Sequence, residues 1–329
     1  MAFQDSAAVI RPELQVKVEE AMAIDKKFIA DLIFPTYPVA TRTGDYRRIK
    51  RGKGQLLRNP GNPDSTKDPL LRAPGSAYPE ITRSFEKASW SVKDRGLEEP
   101  VDDVQAQDES RFFDLESSTA IWLMRNVRIA REARVAAKVM DEAIWGKQDA
   151  GVEYVEANLE TLDFATDLKA ARRVIEKRQE DVNTLVISRE LWDLVTSSKL
   201  LREFFFGDSG GNAMITVEMV AQKFELSQIL IGRASYDTTK PGKDSSDSNL
   251  VWAWPNTHFW LGNVVSGPPE AGGAGRCFVL DALTGGQLYV TESYREDKIR
   301  STRIRVRQDS DENTVNENAG LLVKVSDLA

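Results

Sequence analysis

The chain has 329 residues, 41% of them hydrophobic and 29% charged, with a net charge of -7. That balance is globular, and the length allows two ordinary domains or one large one with insertions. The acidic surplus argues against a protein held chiefly to a nucleic-acid backbone, and the single cysteine, Cys277, excludes an internal disulfide or a thiolate metal cluster.

No apolar run is long enough to span a bilayer, and the start, MAFQDSAAVIRPELQVKVEE, lacks the basic stretch and apolar block of a secretory leader. The expectation is a chain made in the cytoplasm. Pro12 enters an amphipathic helix, PELQVKVEEAMAIDKKFIADLIF, with Val18, Met22, Phe28 and Leu32 on one face before Pro35 and Pro38 break the pattern. The next stretch, residues 44–80, is the odd one. Between Arg42 and Arg58 the basic residues Arg42, Arg47, Arg48, Lys50, Arg51, Lys53 and Arg58 stand against one acid, Asp45, and Pro60, Pro63, Pro69, Pro74 and Pro79 follow. No helical period survives from Tyr46 to Ser84, and the prolines forbid a continuous central strand. TRSFEKASWSVKD (82–94) restores a period of two, which reads as a strand returning from the tip of a two-stranded arm. A loop this long is either functional or disordered.

From Val101 to Trp145 there is neither Gly nor Pro, and Gly146 ends the run. The spacing of Leu115, Trp122, Ile129, Ala133, Ala136, Met140 and Ile144 predicts a helix over 111–145, about 50 Å long. Its flank of Arg125, Arg128, Arg131, Arg134 and Lys138 reads as a solvated face. Residues 162–262 form a compact α/β region: an amphipathic helix FATDLKAARRVIEKR, a buried strand NTLVIS, then helices capped by Ser188, by Ser197 or Ser198, and by Thr216. QILIGRASYD, LVWAWP and HFWLGNVV read as strands. The tail, 277–329, returns to strands, with Arg303, Arg305 and Arg307 on one face of the middle one and Ile304 and Val306 on the other.

No catalytic constellation forms. GDYRRIKRGKG has the wrong spacing for a phosphate loop, with no Ser or Thr after Lys53. His258, the only histidine, lies among aromatics in WPNTHFWLG and reads as a packed residue, although a pairing with Cys277 is a catalytic alternative. DSDEN (309–313) opens like a calcium loop but has Thr314 at the sixth position and Gly320 at the twelfth. GGAGRC reads as a turn. Trp90 and Tyr46 beside arginines are able to stack bases, but strands that pack on a neighbour share that composition. The expectation is a protein that is not an enzyme and uses no cofactor or metal.

The order of parts is short arm, long two-stranded loop, long helix, inserted α/β region and return strands. It resembles the major capsid proteins of tailed bacteriophages, with the α+β Hong Kong 97-type fold. LVISRELWDLV, then TVEMVAQKFELSQILIGRASYDT and a Trp-rich strand, share that family's texture. The resemblance covers nearly the whole chain and rests on the order of elements, not on one motif. It implies an N-terminal arm at 1–40, an extended E-loop at 41–100 and a peripheral P domain with a spine helix at 101–161. An axial A domain at 162–276 follows, then P-domain return strands and a C-terminal strand at 277–329.

The function implied is self-assembly, through hexamers and pentamers, into an icosahedral head shell that encloses double-stranded DNA without sequence-specific binding. The location implied is the virion, after assembly in the host cytoplasm. The partners implied are other copies, a portal protein, a separate scaffolding protein and, in some members, a decoration protein, with no membrane. A separate scaffold is expected because no long helical segment stands between Met1 and Pro12. An arm with few internal contacts is ordered by lying on a neighbour, which makes the seven basic residues, Trp90 and the ladder Arg303, Arg305 and Arg307 candidates for contacts between subunits. The ladder, at about 6.8 Å spacing, has an alternative inside the chain in the acids of REDK and DSDEN. The family's type member joins an E-loop lysine to a neighbour's asparagine. Here the matching candidates are Lys53, Lys67 and Lys87 with Asn313, Asn316 and Asn318. Two other readings are an encapsulin-like nanocompartment shell, and a nucleic-acid-binding or phosphate-handling protein that uses the basic loop 42–58.

Overall fold

A computed structural model describes residues 8–50, 74–78, 86–111, 113–207, 214–240, 242–244, 246–281 and 286–326. The chain begins with β1 (Val9–Ile10), α1 (Pro12–Ile24), the single turn α2 (Ala30–Ile33) and β2 (Thr36–Val39). The helix expected over this stretch is therefore split at Asp25. Phe28, Ile29 and Ile33 turn inward, while Leu32 is 51% exposed. The cause lies elsewhere in the chain: the buried carboxylate of Glu132 accepts the Ile29 and Ala30 N–H groups at 2.9 and 3.0 Å. These donors at the start of α2 have no partner within the helix.

The arm leaves through β3 (Thr43–Arg48) and returns through β4 (Glu86–Ser91), paired antiparallel from Thr43↔Ser91 to Arg48↔Glu86. The two-stranded root expected from the alternation is present. β5 (Lys93–Asp102) follows almost without a break. A short helix α3 (Asp103–Glu109) follows, and the rod expected over 111–145 is two helices, α4 (Leu115–Val139) and α5 (Glu142–Trp145). Without Gly or Pro, aspartates make the breaks. Asp102, Asp114 and Asp141 each accept backbone N–H groups of the turn that follows, the usual helix N-cap. At 25 residues, α4 is about 37 Å long. Its buried face is Ala120, Leu123, Met124, Val127, Val135 and Val139, with Trp122 55% exposed, so the expected face is rotated. Arg128 and Arg131 are buried and do not form a solvated flank.

The α/β region runs through β6 (Lys147–Asp149), α6 (Phe164–Lys177), β7 (Thr184–Ser188), α7 (Arg189–Ser197), α8 (Lys199–Phe206), α9 (Val217–Lys223), β8 (Gln228–Gly232), the hairpin β9 (Ser235–Asp237) and β10 (Leu250–Trp252), and β11 (His258–Gly262). Ser188, Ser198 and Thr216 cap their helices as expected. Then come β12 (Gly275–Leu280), β13 (Val290–Glu296), β14 (Ser301–Thr314) and β15 (Gly320–Lys324).

Two sheets result. One has six strands, ordered β1-β13-β14-β12-β2, with β5 also on β14; the other has five, ordered β6-β15-β11-β7-β8. The last strand thus joins the α/β sheet and does not close the other one. β7 and β11 are buried at every position, which is why they read as unbroken apolar runs. Alternate residues serve two cores. Leu185, Ile187, Phe259, Leu261, Leu321 and Val323 pack under the helices α6–α9. Val186, Trp260 and Leu322 face Trp145, Trp254 and the end of α4. Close approach explains Gly320: a Cβ there would meet Trp260 Nε1 at 2.6 Å and Trp145 Cε3 at 2.8 Å.

Candidate assembly surfaces

The root of the basic arm is fastened to its own chain. Trp90 stacks on Phe278 of β12 with ring centres 5.1 Å apart and planes at 15°, and Tyr46 tilts onto the same ring. The Tyr46 hydroxyl, buried, donates to the Thr314 carbonyl at 2.8 Å, and Trp90 Nε1 donates to the Thr41 carbonyl. Gly44 is required by this packing, because a Cβ would fall 2.1 Å from the Trp90 ring. Beyond β3, Ile49 bridges to Asn316 and exchanges backbone bonds with Val315 and Glu317. The candidate basic residues follow the same line. Arg42 pairs with Asp309 at 3.5 Å, Arg48 with Glu317, and Lys50 with Glu86 at 2.8 Å. Arg47 is exposed, opposite Lys87 in register. Arg51, Lys53, Arg58 and Lys67 lie outside the described residues.

The ladder also finds its charges at home. Arg303 pairs with Glu98 and Glu296, Arg305 with Glu98 at 2.9 Å, and Arg307 with Glu292 at 2.9 Å and Asp309 at 3.4 Å. The register Arg305↔Glu98 on β5 and Arg305↔Glu292 on β13 places carboxylates on both sides of β14. Glu296 and Asp309 are the REDK and DSDEN acids of the intrachain alternative. Glu98 and Glu292 are not legible from spacing, because they require the strand order. A hydrogen bond from Arg305 holds the Glu98 carboxyl below its usual range, against a smaller opposing effect of burial. Ile304 and Val306 are fully buried on the other face.

Asp309 joins arm and ladder. Its carboxylate has no exposed area and lies between Arg42 and Arg307. Burial raises its pKa, Asp94 adds to this, and the two arginines oppose it. The expected basic flank of α4 is a second buried ionic group: Arg131 between Asp31 and Glu312, Arg128 on Asp31, and Arg134 on Glu312 at 3.6 Å. Lys138 donates to the Glu312 carbonyl and to Asn313 Oδ1.

The asparagines proposed for cross-linking are engaged. Asn316 is 1% exposed and donates to Glu180, and Asn318 is 6% exposed and donates to the Lys50 carbonyl. Asn313 is half-buried and donates to Asp311. Lys87 is exposed and pairs with Asp45 at 2.8 Å.

The discounted sites have plain structural roles. His258 is buried, with Nε2 2.9 Å from Glu142 Oε1 and Nδ1 2.8 Å from Thr257 Oγ1. Burial lowers its pKa more than Glu142 raises it. Cys277 lies in the other sheet, where burial pushes its thiol up to about 11. DSDEN is part of β14, an extended strand and not a loop. GGAGRC turns through two glycines of positive φ into Arg276, whose buried guanidinium donates to the carbonyls of Gly267, Pro268, Gly272 and Gly275. Among the described residues no His, Cys, Asp or Glu group could hold a metal, and no helix is long and apolar enough to cross a membrane.

No protein-family model matches the chain, and no curated protein sequence does. Solved structures do match. A phage-related protein from Bordetella bronchiseptica superimposes over 98% of this chain and 99% of its own, at 19% identity and a TM-score of 0.68. The capsid structure of Cyanophage P-SCSP1u covers 92% of this chain and 89% of its own, at 12% identity and 0.57. An encapsulin from Synechococcus elongatus covers 93% of this chain and 89% of its own, at 10% and 0.52. The chain has the α+β Hong Kong 97-type capsid fold.

Proposed function

We propose that this chain is the major coat protein of a tailed-phage head, a structural protein that assembles as hexamers and pentamers into a closed shell around double-stranded DNA. The observation that carries this reading is the likeness to a phage capsid structure over 92% of this chain and 89% of that one. The net charge of -7 supports it, since a shell of like sign to the phosphate backbone encloses DNA without gripping it. In this reading 41–100 is the E-loop, rooted by Trp90 and Tyr46, while α4 is the spine of the P domain. The helices α6–α9 and their sheet form the A domain near the capsomer axis. A portal and a scaffolding protein belong to the same reading. Electron microscopy of the expressed chain, alone and with its scaffold, tests it: closed shells are expected, and a protein that stays monomeric under every assembly condition would sink it. A second reading, a protein-filled nanocompartment, draws on the likeness to the encapsulin. The contents of shells taken from the native source decide between them, genomic DNA for the first and an enzyme for the second.

A further inference from the structure

Charge is sorted along the first part of the α/β unit, in keeping with Asp163 capping α6. Residues 148–167 contain six carboxylates (Asp149, Glu153, Glu156, Glu160, Asp163 and Asp167) and no Lys or Arg, whereas 168–178 contain five basic residues and one acid, Glu176. The acidic stretch borders a groove of about 730 Å³, walled by Val155, Glu156 and Leu159 on one side and Glu190, Asp193 and Leu194 of α7 on the other. All three carboxylates are exposed and the three apolar side chains are half-buried. Half-buried apolar side chains rimmed by exposed carboxylates suit an apolar group with positive charge beside it.

The same chain displays such a group. Phe204 of α8 is 37% exposed and stacks on Phe224, with centres 6.0 Å apart and planes at 15°. Lys169 of α6 and Lys223 of α9 place their ammonium groups 4.7 and 5.2 Å from the ring centre. The result is an aromatic knob flanked by two cations.

We propose that knob and groove are the two halves of one contact between copies of this chain, with Phe204 of one copy seated against Leu159 and Leu194 of the next. Lys169 and Lys223 then face Glu156, Glu190 and Asp193. This inference rests on the shell reading and names one surface through which the A domains meet. Each copy carries one knob and one groove on different elements, so the contact is heterologous and closes into a ring when the rotation between copies allows. Complementary charge selects the register and speeds encounter, and the desolvated aromatic anchors the contact.

The test is charge reversal on each half. Lys169→Glu with Lys223→Glu, and separately Glu156→Lys with Asp193→Lys, are each expected to lower the assembled fraction about tenfold or more. Sedimentation and electron microscopy read this under conditions where the unmodified chain forms shells. Thermal unfolding of each monomer should stay near the original, since all four positions are exposed. The chain carrying all four reversals should assemble again. Normal assembly by either pair, or a folded fourfold variant that does not recover, overturns the contact while leaving the shell reading intact. Failure of the unmodified chain to form rings or shells at all overturns that reading and this inference with it.

Discussion

Arg131 of α4 and Glu312 of β14 form an ion pair at 3.3 Å with 1% and 3% of their side chains exposed. α4 is thus fixed to the six-stranded sheet through charge as well as through apolar packing. Asp31, within α2, closes the same group from the N-terminal part of the chain. Desolvating such a pair is costly, and the geometry must compensate. Removing one partner leaves the other buried and alone. Arg131→Ala should therefore cost about 3–5 kcal/mol of monomer stability, measured by urea unfolding. A loss below about 1 kcal/mol would place the cohesion of α4 in its apolar face alone.

Acid should act through the same group. Burial opposes the charge of Glu312, but Arg131 and Arg134 outweigh it and hold the carboxyl below its usual range. A carboxylate with a depressed folded pKa contributes stability that is present above its unfolded pKa and lost as pH falls through the folded one. Glu132 is shifted the other way: its burial outweighs the hydrogen bonds from Ile29, Trp254 and Ala30. It therefore adds no loss as pH falls toward the ordinary carboxylate range. Unfolding midpoints followed downward in pH should show a late acid-induced drop, and Glu312→Gln should flatten that drop. An equal drop in the variant would assign acid sensitivity to other groups.

The sequence shows some of these features and hides others, for identifiable reasons. Caps that act within four residues, such as Ser188, Ser198 and Thr216, are legible because donor and acceptor are local. The period-two strand with Ile304 and Val306 is legible because alternation is a backbone property. Aspartate breaks at 114 and 141 escape notice when Gly and Pro are taken as the only punctuation. The basic flank of α4 looks solvated because its acids, Asp31 and Glu312, are 97 to 181 residues away from Arg128 and Arg131 along the chain. The clamp on Trp90 depends on Phe278, and no local pattern connects them.

The ladder prediction follows from where its partners lie. Arg303 and Arg305 are 26% and 37% exposed, so their pairs are worth about 0–1 kcal/mol each after solvent screening, whereas Arg307 faces the unexposed Asp309 carboxylate, and losing it costs more. Replacing all three by Gln should lower monomer stability by about 2–4 kcal/mol at low salt. The difference should shrink as salt rises. An unchanged monomer with weakened assembly would instead assign the ladder to a contact between subunits.

Two of the three candidate asparagines are poorly placed to accept a covalent bond from another copy. Attack on an asparagine amide needs that amide at the surface, and Asn316 and Asn318 are buried and hydrogen-bonded within the chain. Assembled particles boiled in detergent should run as a single band at the monomer mass. Ladders of higher mass would show a lysine reaching a different acceptor.

The arm should divide into a root that belongs to the fold and an outer part that belongs to assembly. Its root is held by Trp90 and Tyr46 on Phe278, by Arg48 on Glu317 and by the Ile49 bridge. Trp90→Ala should release β3 and β4 and cost about 2–4 kcal/mol, less than a fully buried tryptophan would. Faster amide exchange over 43–48 should accompany it. Removing 51–85 and joining Lys50 to Glu86 by a short turn keeps every one of those contacts. It also shortens the loop whose closure opposes pairing, a term that varies only slowly with length. The shortened monomer should therefore unfold within about 1 kcal/mol of the original and form no shells. If it loses several times that stability, the outer arm is packed on its own subunit. If it still forms shells, the arm is not the element that joins them.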